Sequence, residues 1–362
     1  MADDNKDLAG SLAPRRGWGF RRAGSGRADY GCPARYGGRA ALYLALAVLF
    51  SCDAGAADKL RIGVQKTGTF AWELAIISER GLDRKAGLDI EVTELASPEA
   101  AKIALMGGAA DMILADWLWV ARQRSLSRLL VFAPYSTALG AVMVPAASAI
   151  EDLAGLKGKK FAVAGGPLDK SWLLLQALAR KSDLDVVSQA NIIYGAPTLL
   201  YQKAANGEAD ATLNYWNFCV ALEARGFRRL IGMDEVERRL GAKEPVAMVG
   251  YVFSEELART HAAALSRFFK IAAEAKDILA HSTEDWEKIA PRIGIKGEAE
   301  LALYRQTYID GIPRRPIAEE AADARALYRI LAKVGGPDIA GNSTELDEGT
   351  FYKNIEMAPQ EH

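Results

Sequence analysis

Polar and aromatic residues in this chain collect just after short apolar runs, where they are placed to hold a small molecule without reacting with it. Lys66, Thr67 and Thr69 stand in the loop Gln65–Thr69 behind the run Leu60–Val64. Asp116 and Trp117 follow Met112–Ala115, and Ser136 and Thr137 follow Leu129–Ala133. Gly166, Asp169 and Ser171 come after Phe161–Ala164, while Asn214, Tyr215 and Trp216 close the run that begins at Ala211. Hydroxyls, an ammonium and carboxylates can aim hydrogen bonds into a concave site with apolar walls. The indoles of Trp117 and Trp216 can stack on an aromatic or cationic body, worth about 0.5–2 kcal/mol beyond area burial. The alternative is that both pack in the core. Asp116 beside Trp117 suits a cation or a ring amine. The helix start at Pro167–Trp172 can attract an anion through free N–H groups and the helix dipole, with Lys66 and Lys170 adding charge. Pro167 removes one donor there and Asp169 brings a negative charge, so Asp169 either faces the solute or caps its own helix. Trp72, Trp119 and Trp286 fall on helical stretches and read as packing groups.

Covalent chemistry has one candidate. Cys219 is a possible nucleophile for an enzyme on this chain, but no histidine is near it in sequence; the simpler reading is a small buried helix residue. The three histidines are His261, His281 and the terminal His362. No C-x-x-C, H-x-x-x-H, acidic EF-hand loop or P-loop occurs, so neither a metal nor a cofactor is expected. A formal net charge of −1 gives no bulk attraction to nucleic acid. The 50 % hydrophobic and 25 % charged fractions are those of a soluble globular protein.

The elements that must position these groups are α/β in pattern. Residues 107–117 (GGAADMILADW) and 206–216 (NGEADATLNYW) share Gly108/Gly207, Ala110/Ala209, Asp111/Asp210, Leu114/Leu213 and Trp117/Trp216. Each unit reads as helix, glycine stop, short buried strand and a tryptophan beyond the strand's carboxyl end, where open α/β sheets take ligands. Chance similarity between two ordinary helix–turn–strand units is the alternative. Strands are further expected at Asp89–Leu95, Ala141–Val144, Ala190–Tyr194 and Val246–Phe253, with Ser97 and Pro98 opening a helix. Strands alternating with helices favour mainly parallel sheets flanked on both faces.

The first 57 residues differ from the rest: seven arginines, from Arg15 to Arg39, then the apolar run Ala40–Phe50 and Ala54-Gly55-Ala56-Ala57. That order describes a secretory signal peptide, with Cys52 a possible lipid anchor point. Without that segment and its Cys32 and Cys52, Cys219 alone remains and no internal disulfide is possible. The expected divisions are a signal peptide at 1–57, lobe one at 58–145, lobe two at 146–246, a return to lobe one with C-terminal helices at 247–335, and a loose tail at 336–362. Crossings between lobes, and so hinges, are expected at Ala141–Ser148 and Glu244–Tyr251.

Leu60–Val64 with its polar loop, the two Gly-x-Ala-Asp units, Leu153–Val163 (LAGLKGKKFAV) and Gly165-Gly166 before a helix resemble the solute-binding proteins of nitrate/sulfonate/taurine-type ABC transporters. The thiamine-precursor binding proteins are close relatives of these. The likeness runs over residues 59–255 and rests on order and spacing. It implies a two-lobed type II periplasmic binding protein fold, each lobe a mixed, mainly parallel sheet flanked by helices. It also implies a periplasmic monomer that closes on a small organic solute (a sulfonate, an amine, or an aromatic or pyrimidine-like compound) and delivers it to an inner-membrane permease. In that family the loop after the first strand and the helix start after the glycine pair touch ligand, here Gln65–Thr69 and Gly166–Ser171. A periplasmic sensor or accessory protein, or an enzyme using Cys219, are the rival readings.

Overall fold

The computed structural model describes residues 57–65, 68–295 and 297–355. Lys66, Thr67, the expected signal peptide and Cys52 lie outside the described residues. The strands are β1 (Asp58–Gln65), β2 (Leu88–Leu95), β3 (Met112–Asp116), β4 (Leu130–Ser136), β5 (Gly140–Pro145), β6 (Lys160–Ala164), β7 (Asn191–Gly195), β8 (Ala211–Tyr215), β9 (Phe227–Gly232) and β10 (Val249–Ser254). The helices are α1 (Phe70–Glu79), α2 (Leu82–Lys85), α3 (Pro98–Met106), α4 (Trp117–Ser125), α5 (Lys170–Lys181), α6 (Val186–Gln189), α7 (Pro197–Ala205), α8 (Trp216–Glu223), α9 (Met233–Leu240), α10 (Glu255–Thr260), α11 (Ala262–His281), α12 (Thr283–Ile293), α13 (Glu298–Asp310), α14 (Ile317–Gly335) and α15 (Pro337–Ala340).

Two sheets form, in the orders β2-β1-β3-β10-β4 and β7-β6-β8-β5-β9. In each, four strands run in one direction and the strand at the fourth position is antiparallel to both its neighbours. That fourth strand is exchanged: β5, reached directly from β4, sits in the second sheet, and β10, reached from β9, sits in the first. The expected boundary at residue 145 is therefore corrected. The first crossing occupies residues 137–139, ahead of β5 rather than within it, because β5 takes its hydrogen bonds from β8 and β9. β9 carries Arg228 and Arg229 in the middle of an edge strand, so no apolar run announces it.

The repeated Gly-x-Ala-Asp unit has a structural cause. Gly108 and Gly207 leave their helices with φ of 71° and 74°, a conformation costly for any side chain. The aspartate three residues on then turns back onto the neighbouring parallel strand. Asp111 accepts the Arg61 N–H at 2.8 Å, and Asp210 accepts the Lys160 N–H at 2.7 Å. Each carboxylate thus pins the register of one parallel pair.

The C-terminal region does more than return to lobe one. α14 packs on α5 of the second lobe, and Tyr328 within it stacks on Trp117 of the first at 6.3 Å. Residues 336–355 are a fastened strap instead of the loose tail expected. The Arg124 guanidinium pairs with Asp347 at 2.7 Å, the Tyr352 N–H reaches the Phe132 carbonyl at 2.8 Å, and Phe351 meets the Phe132 ring at 5.2 Å. No described helix is long and apolar enough to cross a membrane.

Candidate functional site

The carboxyl ends of β1, β3 and β4 face those of β6, β7 and β8 across a cleft of about 730 Å³. Parallel strands end there with loops and helix starts, which leaves backbone and side-chain polar groups free to converge.

On the lobe-one wall, the Thr69 hydroxyl lies 3.0 Å from the Tyr135 hydroxyl. Tyr135 is itself held from beneath, with the Lys276 ammonium 3.9 Å from its ring centre. Lys276 donates to the buried Glu73 carboxylate at 2.5 Å, as does the Tyr308 hydroxyl at 2.5 Å, and Tyr251 donates at 3.3 Å. Burial holds Tyr135 well above the ordinary phenol range and, against the pull of Glu73, draws Lys276 below the ordinary amine range. Farther along the same wall, Asp116 caps α4 by accepting the Trp119 N–H at 2.8 Å. Lys102 of α3 stands 3.8 Å from Asp116 and 5.4 Å over the Trp119 ring. Arg122, one helical step beyond Trp119, has its Nε buried without a hydrogen-bond partner.

The lobe-two wall is built around Asp169. Its Oδ1 accepts the Ser171 N–H at 2.9 Å, and its Oδ2 accepts the Tyr215 hydroxyl at 3.1 Å. The Lys170 ammonium lies 3.5 Å from that oxygen and 4.7 Å from the Tyr215 ring centre. Gly165 makes the arrangement possible, since a Cβ there would stand 2.5 Å from Asp169 Oδ2 and 2.7 Å from the Tyr215 oxygen. Burial, and next the Asp169 charge, keep the Tyr215 phenol well above its ordinary range, so it stays a neutral donor. Tyr194 reaches the cleft on a tether, its oxygen accepting the Trp172 indole N–H at 3.0 Å.

Of the residues expected at the site, Thr69, Asp116, Ser136, Gly166, Asp169, Tyr215 and Trp216 line the cleft. Four do not. Trp117 is fully buried against Tyr328, Asn214 is turned inward to the Pro197 carbonyl at 3.0 Å, and Ser171 is buried in the first turn of α5. Thr137 belongs to the lobe crossing, its N–H bonded to the Gly311 carbonyl at 2.9 Å. Trp216 offers the cleft little surface, being edge-on to Trp72 and tilted against Tyr304, both at 5.9 Å. Asp169 caps its own helix, so the α5 start already carries a built-in anion. Trp119, read from sequence as packing, lines the cleft, as do Lys102, Arg122, Tyr135, Tyr194 and Phe218. Helix phase was the missing signal: α4 begins at Trp117, and residues two apart on a helix point about 200° from each other.

Cys219 is wholly buried, its thiol directed at the Asn214 carbonyl at 3.2 Å, and burial pushes its pKa up to about 12. Such a thiol is neither ionised nor reachable for attack on a solute. Among the described residues no group of three or more His, Cys, Asp or Glu side chains is placed to hold a metal ion.

Residues 75–284 match the family model described as NMT1/THI5 like. The chain belongs to that family. Its fold is also that of solved two-lobed binding proteins. The alkanesulfonate-binding protein SsuA from Xanthomonas axonopodis pv. citri, bound to MOPS, aligns with a TM-score of 0.62 at 19 % identity, over 80 % of this chain and 96 % of that one. The periplasmic aliphatic sulphonate binding protein SsuA from Escherichia coli aligns at 0.60 and 18 % identity, over 80 % and 97 %. DSZB in complex with biphenyl-2-sulfinic acid shares the fold at 0.53 and 15 % identity, over 81 % and 96 %. No curated protein matches the chain in sequence at a significant level. Within the NMT1/THI5-like chain, the duplicated sheets and the cleft between them are the frame on which a binding role must rest.

Proposed function

We propose that this protein is the exported solute-binding component of an ABC importer, taking a small organic solute between its lobes and presenting it to an inner-membrane permease from the periplasm. The observation that carries this reading is the cleft, in which two sheets of the same topology aim polar and aromatic side chains at one space. The SsuA proteins of the same fold carry sulfonates or MOPS by name, which supports a small organic solute here. In this reading residues 1–57 direct export, lobe one holds β1–β4 and β10, and lobe two holds β5–β9. The solute favours the closed form because only that form contacts it from both walls, and differential affinity is what moves such an equilibrium. The buried Cys219 thiol supports binding without conversion.

A thermal-unfolding screen of the purified protein against sulfonates, nitrate, taurine, pyrimidines, quaternary amines and aromatic acids tests the proposal. A ligand at about 100 times its dissociation constant adds roughly 2.7 kcal/mol, enough to raise the midpoint by several degrees. The ligand should be recovered unmodified. Absence of any shift, or chemical conversion of the ligand, would refute it.

A further inference from the structure

We propose that the cleft selects a solute with one anionic group on a planar body, the anion anchored at the α3–α4 wall by Arg122 and Lys102 and the body lying among Trp119 and the facing tyrosines. The inference rests on the reading that the cleft holds a solute, and it names that solute's class.

Charge on the two walls is disposed unequally. At the lobe-two wall Asp169 already occupies the start of α5, accepts the Tyr215 hydroxyl and holds Lys170. An incoming anion there would meet a fixed carboxylate whose neighbouring cation is engaged. The lobe-one wall is the reverse. Arg122 forms no ion pair among the described residues, and its buried Nε has no hydrogen-bond partner. A guanidinium is always charged and offers its donors in a planar fork that fits a carboxylate or sulfonate. Leaving such a group partly buried and unpaired costs free energy that an anionic solute would return.

Lys102 supports the same reading. Its only acid partner among the described residues, Asp116, is 3.8 Å away and already caps α4 through the Trp119 N–H. Trp119 and Arg122 stand three residues apart on α4, which puts them on one face, with Asp116 capping that helix and Lys102 above the indole. A planar group beside Trp119 therefore carries its charge toward the cations at either end. Among the described residues Glu99, Asp116, Asp169 and Asp338 outnumber Lys102, Arg122 and Lys170 around the cleft, which disfavours a second negative charge.

The test uses the full chain, with benzoate, nicotinate and benzenesulfonate as probes, benzamide and nicotinamide as their neutral counterparts, and terephthalate as the dianion. Binding is followed by intrinsic tryptophan fluorescence and by the thermal midpoint. At least one monoanion should bind ten times more tightly than its neutral counterpart and than terephthalate. Arg122→Gln should abolish that preference, Arg122→Lys should restore part of it, and the unliganded midpoints of both variants report whether they fold. Equal affinity for the charged and neutral members, or a preference that survives Arg122→Gln, overturns the proposal. So does a protein that binds only cationic or neutral solutes, which leaves the cleft reading standing. If no solute of any class binds, the cleft reading falls too.

Discussion

Removing the Glu73 carboxylate should destabilise this protein by several kcal/mol, because it leaves a buried cation without its counter-charge. Glu73 is wholly buried and receives Lys276 and Tyr308 at 2.5 Å each, with Tyr251 at 3.3 Å. Glu73→Gln leaves the ammonium of Lys276 buried without a counter-charge, and breaking a buried pair from one side costs about 3–5 kcal/mol. The amide carbonyl still accepts from Tyr308, which returns roughly 1 kcal/mol. The net loss is about 2–4 kcal/mol, or a fall in the thermal midpoint of about 3–6 °C for a chain of this length. Glu73→Gln/Lys276→Met should lose less than the single variant, since the uncompensated charge is gone. pH adds an internal check. Burial already lowers the Lys276 pKa in the folded state, and loss of Glu73 lowers it further. Above that value the unfolded chain holds the extra proton, so stability rises with pH and the Glu73→Gln deficit should shrink toward about pH 9–10. Guanidinium unfolding at several pH values measures all of this. A deficit below 1 kcal/mol by the pair-breaking estimate, or a double variant as damaged as the sum of the singles, would refute the argument.

The two repeated aspartates should differ in weight. Asp111→Ala loses the Arg61 N–H and two guanidinium contacts and should cost about 2–3 kcal/mol, whereas Asp210→Ala loses the Lys160 N–H and should cost about 1 kcal/mol, as denaturant midpoints would show. Glu237 and Glu320 accept the N–H groups of Val246 and Ala247 on the way into β10, and burial raises both carboxyls above their usual range. The folded state therefore holds those protons more tightly, and this stabilisation, complete below the ordinary carboxylate range, is lost as pH rises through the raised values. Glu237→Gln should gain on the wild type between about pH 5 and 8 in thermal melts, and a constant difference would contradict the assignment. Cys219 should resist a disulfide-exchange reagent in the native protein and react fully in denaturant; native labelling within minutes would place the thiol elsewhere.

Much of the frame was legible because its strands are apolar runs bounded by glycine or by charge. Met112–Asp116 and Ala211–Tyr215 could be read twice from one pattern. What escaped was set by tertiary direction. β5 follows β4 after three residues and falls within the span expected for lobe one, yet it pairs with β8 and β9 of the second sheet. The strap near the C-terminus is polar and rich in glycine, and its anchors are single rings, Phe351 and Tyr352, set against Phe132 and Phe253 at 5.2 Å each. At the site, the sequence located the loops but not the helix faces. It favoured Trp117 over Trp119 and could not show that Arg122 comes to the cleft. Asp169 had two readings that the structure combines: its carboxylate caps α5 through the Ser171 N–H and also lines the cleft.

The exchange of β5 and β10 also governs how the chain can be made. During synthesis β3 and β4 emerge long before the strand that lies between them, which begins at Val249. Until then each presents an open edge, the kind of surface that invites mispairing. The second lobe has all its strands by Gly232, so it can finish first although it begins later. A released fragment ending near residue 245 should therefore protect the second sheet from proteolysis and leave the first susceptible. The amino-terminal lobe is the last to be completed.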